Sequence, residues 1–428
     1  MRDTIFAVSS GAPPAAIAVL RISGPQALAA ASALAGPLPA PRVASLRRLR
    51  GPDGEILDRA VVLGFPGPAT ATGEDCAELQ LHGGRAVVRA VSAALGGMAG
   101  LRAAEPGEFT RRALENGRLD LTEAEGLADL LAADTESQRR AAIRSAEGML
   151  RRSIESWTDR VLALAAGTEA AIDHDDEEDV ADQFATVATV HAGAALLADD
   201  IDRIVAQPSV ERLRDGIRVV LAGPPNSGKS TLLNAMAGRD VAIVSPIAGT
   251  TRDRLEAPLV RNGIAWIVTD TAGLAPTTSD PIEAMGIERA RESIELADIV
   301  LWLGDAAAHN DNVVLVHARS DAPGRGDPPS GRIAASGVVD GGTDALWAEL
   351  DRRGALLLPS GDVPTLNRRQ RDLCGAAARS LHRVADSRDL LVIAEELRSA
   401  MAAFDRLTGR ADTEAVLDSL FASFCIGK

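Results

Sequence analysis

Gly223–Ser230 reads GPPNSGKS, a G-x-x-x-x-G-K-[ST] spacing in which each residue type answers to a triphosphate. Gly223 and Gly228 let backbone N–H groups turn inward on phosphate oxygens. A helix opening near Lys229 aims its positive end the same way, and Ser230 offers a hydroxyl to Mg²⁺. The cation is selected for shape: the 428 residues include two lysines, Lys229 and Lys428, among forty-three arginines. A compact ammonium fits between phosphates where a flat guanidinium does not. Downstream, Ser245–Asp253 is a polar loop with two threonines, of which Thr251 suits a Mg²⁺ ligand in a loop closing over a γ-phosphate. Asp270-Thr271-Ala272-Gly273 then ends an apolar run. Asp270 suits a water-mediated Mg²⁺ contact and the Gly273 amide can reach the γ-phosphate. In this order the motifs imply phosphoryl transfer from a nucleoside triphosphate to water.

These residues need a strand before the glycine loop and a helix after it, which Ile217–Leu221 and Thr231–Met236 supply. Further strands are expected at Ala265–Thr269, Ile299–Leu303, Val313–Val316 and Arg332–Ala335, with helices near Ile282–Ala297 and Thr343–Arg352. Such alternation implies a parallel sheet covered on both faces, with ligands at the strands' carboxyl ends. Residues 1–118 mix short strands (Ile17–Ile22, Ala60–Phe65) and helices (Pro25–Leu34, Arg85–Met98), an α+β module. From Leu121 to Gln207 the period is helical. Leu150, Ile154, Trp157, Val161 and Leu164 form one stripe, and Leu196, Leu197, Ile201, Ile204 and Val205 another. Helical spacing returns after Asn367, with Leu390, Ile393, Leu397, Met401, Phe404 and Leu407 stopped by Gly409. Helices on both sides of the α/β unit suggest that it is inserted into one helical domain. The divisions are 1–118, 119–210, 211–360 and 361–428. The acidic run Asp173–Asp179 reads as a solvated connection in preference to a metal site.

With 46% hydrophobic and 25% charged residues the chain is globular in composition. Cys76, Cys374 and Cys425 are scattered, without a C-x-x-C, so neither a disulfide framework nor a zinc site is expected. No apolar run reaches the ~18–20 residues of a membrane span and no leader pattern is seen, so a cytoplasmic location is expected. The net charge of −15 argues against general nucleic-acid binding, and any RNA contact must be local or shared. By pattern alone, Arg21, Glu78 and Arg118 read as edge-strand and loop charges.

Over essentially its full length the chain resembles the MnmE (TrmE) tRNA-modification GTPases. The resemblance is carried by LRISG (Leu20–Gly24), TGED (Thr72–Asp75), PGEFTRRA (Pro106–Ala113), RLDLTEAEG (Arg118–Gly126), GPPNSGKSTLLN (Gly223–Asn234), GTTRD (Gly249–Asp253), DTAGL (Asp270–Leu274), GIERA (Gly286–Ala290) and FCIGK (Phe424–Lys428). It implies a P-loop GTPase domain inserted in a helical domain, after an N-terminal α+β domain that binds 5-formyl- or methylene-tetrahydrofolate. It implies a homodimer that hydrolyses GTP with Mg²⁺ and K⁺. A heterotetramer with an FAD-containing protein of the MnmG (GidA) type would add an aminomethyl or carboxymethylaminomethyl group at C5 of the wobble uridine of certain tRNAs.

Carried over by position, the folate contacts fall on Arg21, Glu78 and Arg118, and K⁺ on Asn226, Ser245, Ile247 and Thr250. Mg²⁺ falls on Ser230 and Thr251. GTP contacts fall on Gly223, Asn226, Ser227, Gly228, Lys229, Ser230, Thr231, Ser245, Thr250, Thr251, Asp270, Thr271, Ala272, Gly273, Asp321, Ser336 and Gly337. Glu283 would position the attacking water, with Lys229 and Arg252 the other catalytic residues. Cys425 is either a buried helix-end thiol or part of the modification centre.

Two stretches depart from the family pattern. The guanine-reading N-K-x-D stands as Ala318-Arg319-Ser320-Asp321, so the amide is lost while the carboxylate that pairs with guanine N–H groups remains; weaker, still guanine-selective binding is expected. The N-terminal turn Gly11–Ala16 lacks the family's arginine. A ribosome-assembly GTPase would need a basic RNA module, and none is visible. A non-hydrolysing folate scaffold is opposed by Lys229, Thr251, Asp270 and Glu283.

Overall fold

A computed structural model describes residues 3–173, 180–238, 241–242, 255–271, 291–305, 310–359, 361, 363–411, 414–422, 424 and 426–427. Its contacts divide the chain into two units: Met1–Ala128 with Ala146–Glu155 and Met401–Lys428, and Asp129–Ser145 with Ser156–Ala400.

The first unit is built on six strands, β1 (Thr4–Val8), β2 (Ile17–Ser23), β3 (Ser45–Arg50), β4 (Ile56–Phe65), β5 (Cys76–His82) and β6 (Leu101–Ala103), ordered β3-β4-β5-β2-β1-β6. Period-2 alternation decides its faces. Leu20, Ile22, Val62, Leu79 and Leu81 are buried with the apolar sides of α1 (Ala27–Ala35) and α2 (Arg85–Gly96). Ile5 and Ala7, of opposite parity, instead meet Phe109 of α3 (Glu108–Glu115). Arg21 and Glu78 are cross-strand partners between β2 and β5, out of phase with Leu20 and Leu79, and the Arg21 guanidinium lies 5.9 Å from the Phe109 ring.

Next come α4 (Leu121–Ala132), α5 (Glu136–Ala146), α6 (Met149–Asp173), α7 (Val180–Val205) and α8 (Val210–Asp215). The expected α6 stripe is buried at Leu150, Ile154, Trp157 and Val161. In α7, Leu197 and Ile201 are buried but Leu196 is 64% exposed, because α7 turns a narrower face inward than five apolar residues suggest.

The second unit contains β7 (Ile217–Ala222), α9 (Lys229–Ala237), β8 (Val241–Ala242), β9 (Leu255–Arg261), β10 (Ile264–Asp270), β11 (Ile299–Trp302), β12 (Val313–Ala318), β13 (Ile333–Ala335) and α10 (Asp344–Leu357). The order is β13-β12-β11-β7-β10-β9-β8. From β13 to β10 the sheet is parallel, as the alternation requires. β9 is a correction: it pairs antiparallel with β10 through an Asn262-Gly263 turn, both residues at positive φ, and with β8 on its other side. Pro258 masked this strand in the sequence. Trp266 and Trp347 meet edge-to-face at 5.7 Å in the core beneath the sheet.

Helices α11 (Arg368–Asp386), α12 (Leu390–Thr408) and α13 (Glu414–Ala422) complete the described residues. α11 starts with a capping box between Asn367 and Gln370 and lies along α7, burying Cys374, Ala377, Ala378 and Leu381. Gly409, at φ 80, follows the last residue of α12. In the first unit, α13 packs on α3. Phe421 stands so close to Gly107 that an added Cβ would be 2.8 Å away, and Ser9 Oγ donates to the Gly427 carbonyl at 2.8 Å.

Candidate functional site

The loop after β7 has a backbone that only its own residues permit. Gly223 has φ 148, and an added Cβ would lie 3.2 Å from the Gly304 nitrogen; Gly228 has φ 97 and Asn226 has φ 61. Gly228 is the N-cap of α9, so the helix's free amides open onto the loop. Lys229 is 7% exposed, and its Nζ donates to the Pro224 carbonyl at 2.9 Å and the Gly223 carbonyl at 3.2 Å. Burial pushes its pKa down, and the Asp270 carboxylate opposes that fall. The charge is thus held inside the loop by two carbonyl dipoles, at the point where phosphate charge arrives.

β10 runs parallel to β7 and sets Asp270 beside Leu221. Ser230 Oγ donates to Asp270 Oδ2, while Asp270 Oδ1 is buried with no hydrogen-bond partner among the described residues. A hydroxyl and a carboxylate converging with an orphaned buried oxygen suit a divalent cation that takes its remaining ligands from phosphate and water. Among the described residues no three His, Cys, Asp or Glu side chains cluster for a metal.

A cavity of about 550 Å³ continues from the loop across the carboxyl ends of β12 and β13. It is lined by Asn226, Gly228, Lys229, Ser230, Thr231 and Leu232 on one side. Ala318, Arg319, Asp321, Ala322, Pro323, Ala335, Gly337 and Val338 line the other. Arg319 has a left-handed backbone, φ 57, and its Cγ lies 3.2 Å from where a Gly228 side chain would begin. Its stem therefore bridges the base end of the cavity and the phosphate loop. Gly337 approaches the Thr231 carbonyl so closely that a Cβ would be 2.7 Å away.

Not every sequence candidate turns its side chain to the cavity. Thr271 Oγ1 donates to the Leu221 carbonyl at 2.7 Å, and Ser336 Oγ accepts the Val338 and Val339 amides at 3.1 and 3.2 Å. Both hydroxyls hold their own loops. Ser227 Oγ is buried without a partner among the described residues. Ser245, Ile247, Thr250, Thr251, Arg252, Ala272, Gly273, Glu283 and Cys425 lie outside the described residues.

In the first unit Arg21 donates to Glu78 Oε1 from Nε and from a terminal nitrogen, at 3.0 and 2.9 Å. The Nε of Arg118 donates to the Thr70 carbonyl at 3.0 Å, and its stem lies over Gly73. Sequence reasoning missed Arg112, which is 5% exposed and contacts Asp3, Glu74 and Glu108. An arginine in an amphipathic helix carries no local signal that it points inward. It also missed Gln138, whose signal was the T-x-x-Q spacing of a capping box.

A strand, a glycine loop, a buried lysine at a helix start, a hydroxyl–carboxylate pair and a base-sized cavity in one unit define a P-loop nucleoside triphosphatase. A family model described as the GTP-binding protein TrmE N-terminus matches residues 4–118, and one described as the MnmE helical domain matches residues 121–425. The tRNA modification GTPase MnmE of Erythrobacter litoralis is 53% identical over 427 residues, spanning 100% of both chains. That of Rhizorhabdus wittichii is 55% identical over 429 residues, covering 100% of this chain and 97% of its own. Among solved structures, Aquifex aeolicus Era bound to GDP and aluminium fluoride aligns with 38% of this chain and 66% of its own, at 26% identity and a TM-score of 0.26. The chain belongs to the MnmE family and is a GTPase. No helix among the described residues is long and apolar enough to cross a membrane.

Proposed function

We propose that the protein is a K⁺-stimulated GTPase of tRNA modification. With an FAD-containing partner of the MnmG (GidA) type, it alters C5 of the wobble uridine of certain tRNAs and takes a one-carbon unit from a tetrahydrofolate. The observation that carries the nucleotide half is one cavity lined by Lys229, Ser230 and Asp321, with Asp270 bonded to Ser230. Membership of a family whose relatives are named tRNA modification GTPases supports the other half. The architecture we infer is an α/β GTPase domain (211–360) inserted in a helical domain (119–210 and 361–428), with 1–118 as folate-binding and dimerisation domain.

In this reading, loop amides and Lys229 take the β- and γ-phosphates, and Ser230 and Thr251 hold Mg²⁺, with Asp270 reaching it through water. Asn226, Thr250 and the Ser245 and Ile247 carbonyls gather K⁺. Bound there, the two cations supply positive charge where negative charge develops on the transferring phosphoryl group. Glu283 orients the attacking water and Arg252 assists. In the first unit both Arg21 contacts fall on Glu78 Oε1, so a pterin N–H can be met by the carboxylate and a folate carboxylate by Arg118. The protein is read as a cytoplasmic homodimer that forms a heterotetramer with its flavin partner.

GTP turnover in matched KCl and NaCl, with Glu283→Ala as control, tests the catalytic core. Turnover that falls at least about tenfold in NaCl and in the variant is expected. Equal turnover in the two salts would sink the K⁺ assignment.

A further inference from the structure

Gln138 is 9% exposed, and its amide makes four hydrogen bonds in two directions. Its Oε1 accepts the backbone amides of Asp134 and Thr135, both at 2.8 Å, completing with Thr135 Oγ1 the capping box that opens α5. Its Nε2 donates to the carbonyls of Leu213 and Arg214, at 3.1 and 3.0 Å, in the last turn of α8. One side chain thus satisfies orphan donors at the start of one helix and orphan acceptors at the end of another. Both oxygen lone pairs and both N–H bonds are engaged, so no other conformation of the amide does as well.

The chain beyond α8 extends the clamp past its own two helices. Gly216, at φ 92, turns the chain into β7 against Ala265 and Ile267 of β10, and β7 delivers Gly223 and the phosphate loop. The same first turn of α5 touches this end of the strand pair a second time. At the β9–β10 turn, a Cβ on Gly263 would lie 3.6 Å from Ser137 Oγ and 3.8 Å from Glu136 Cβ. β7 and β10 are locked in parallel register, from Ile217 beside Trp266 to Leu221 beside Asp270. Their starts meet α5. Their ends, about 16 Å away at the rise of a strand, carry the phosphate loop and the carboxylate that pairs with Ser230.

We propose that Gln138 is a positioning residue for GTP turnover, coupling the first turn of α5 through β7 and β10 to the phosphate end of the site. This rests on the proposed nucleotide function. A pair of hydrogen-bonded strands is stiff along its length. A displacement of the phosphate loop or of Asp270 on nucleotide binding therefore reaches the Leu213 and Arg214 carbonyls and the Gly263 turn, where α5 holds both.

The informative variant of the full chain is Gln138→Glu. It keeps the acceptor that caps α5 but sets an oxygen against two carbonyl oxygens. Affinity for Mg·GDP is measured first, then GTP turnover and amide hydrogen exchange of α5 with and without Mg·GDP and a non-hydrolysable GTP analogue. In the wild type, bound nucleotide is expected to change exchange in the first turn of α5 at least about fivefold. In the variant near neutral pH that response disappears and kcat falls about tenfold, with nucleotide affinity and KM within about threefold. At about pH 5.5 the variant moves back toward the wild type, because a protonated carboxyl at a desolvated site can again donate to a carbonyl. The neighbouring charges, Glu136, Arg139, Arg140, Asp129, Arg214 and Asp215, are common to both proteins, so the wild-type pH profile is the baseline. Wild-type α5 exchange indifferent to bound nucleotide would overturn the proposal whether or not the variant folds. So would a variant that keeps the response, or whose deficit follows its melting temperature and not pH. Failure of the wild type to bind Mg·GDP would instead remove the nucleotide function itself.

Discussion

At the scale of single residues, the base end of the cavity carries Ala318-Arg319-Ser320-Asp321 in place of N-K-x-D. Ala318 is 3% exposed and offers only a methyl group where the family carries an amide. Asp321 keeps a carboxylate on the cavity wall. The Arg319 stem lies over Gly228, and the residue lines the cavity. On the proposed reading, recognition of guanine rests on its N1–H and 2-amino group, with Ala318 offering no side-chain amide to N7. Replacing GTP by 7-deaza-GTP is expected to change affinity by less than about twofold. Inosine triphosphate, which lacks the 2-amino group, loses about 10–100-fold, the worth of one hydrogen bond to a charged acceptor. Competition against a fluorescent GDP analogue reads both. A tenfold loss with 7-deaza-GTP would place the Arg319 guanidinium on N7. The motif residues at this scale were legible because glycine, lysine and aspartate at fixed spacing have few other reasons to coincide. Thr271 and Ser336 were not. A hydroxyl beside a motif can face a ligand or a backbone carbonyl equally well, and only the fold decides that both hold their own loops.

At the scale of elements, the strands and helices that carry the site followed from periodicity, and the exceptions have physical causes. β9 hid behind Pro258 although its Asn262-Gly263 turn is a strong hairpin signal. α11 was legible only as helical spacing, and beside Leu381 and Val384 its buried face holds Cys374, Ala377 and Ala378. Small side chains let it lie close to α7, a packing that apolar counts underrate. Close packing also fixes the chemistry of Cys374. Burial pushes its thiol up to about 12, since the thiolate cannot be solvated between two helices. In the native protein at about pH 8, Cys374 is therefore expected to resist a thiol reagent over hours and to react in seconds once denaturant separates α11 from α7. Mass spectrometry of the peptide carrying Cys374 measures the ratio. Native-state labelling at a free-thiol rate would mean that α11 opens readily, contradicting the capping box that fixes its start.

Over the whole molecule, the two units differ in what holds them. The second has a large apolar core around two tryptophans, whereas the first adds a buried ionic cluster to its sheet core. Arg112 lies between Glu74, Glu108 and Asp3, and Arg102 pairs with Glu108 at 2.6 Å. None of this was legible, because ion pairs between residues 3, 74 and 112 exist only after folding. Although burial alone would raise it, the Arg102 and Arg112 guanidiniums hold the Glu108 carboxyl below its ordinary value near 4.5; Asp3 is lowered beside Arg102. A carboxyl lowered in the folded state stabilises above its unfolded pKa, and that stability is lost as pH falls through the folded value. Asp120 acts in the opposite sense: burial raises its pKa, so acid relieves a strain there. Asp58 is lowered too, its burial outweighed by hydrogen bonds from His82. With three lowered carboxylates against one raised, the first unit is expected to lose stability below about pH 4.5. Arg112→Met should cost about 3–5 kcal/mol at neutral pH, because it strands the Glu74 carboxylate in a buried site, while Glu108 keeps Arg102. All four tryptophans, Trp157, Trp266, Trp302 and Trp347, lie in the second unit. Their fluorescence therefore follows that unit alone in a urea titration, while far-ultraviolet circular dichroism follows both. The variant is expected to shift part of the dichroism transition to lower urea and leave the fluorescence midpoint in place. An unchanged dichroism transition would mean that the Arg112 cluster contributes nothing net. A fluorescence midpoint that moved with it would mean that the two units unfold as one.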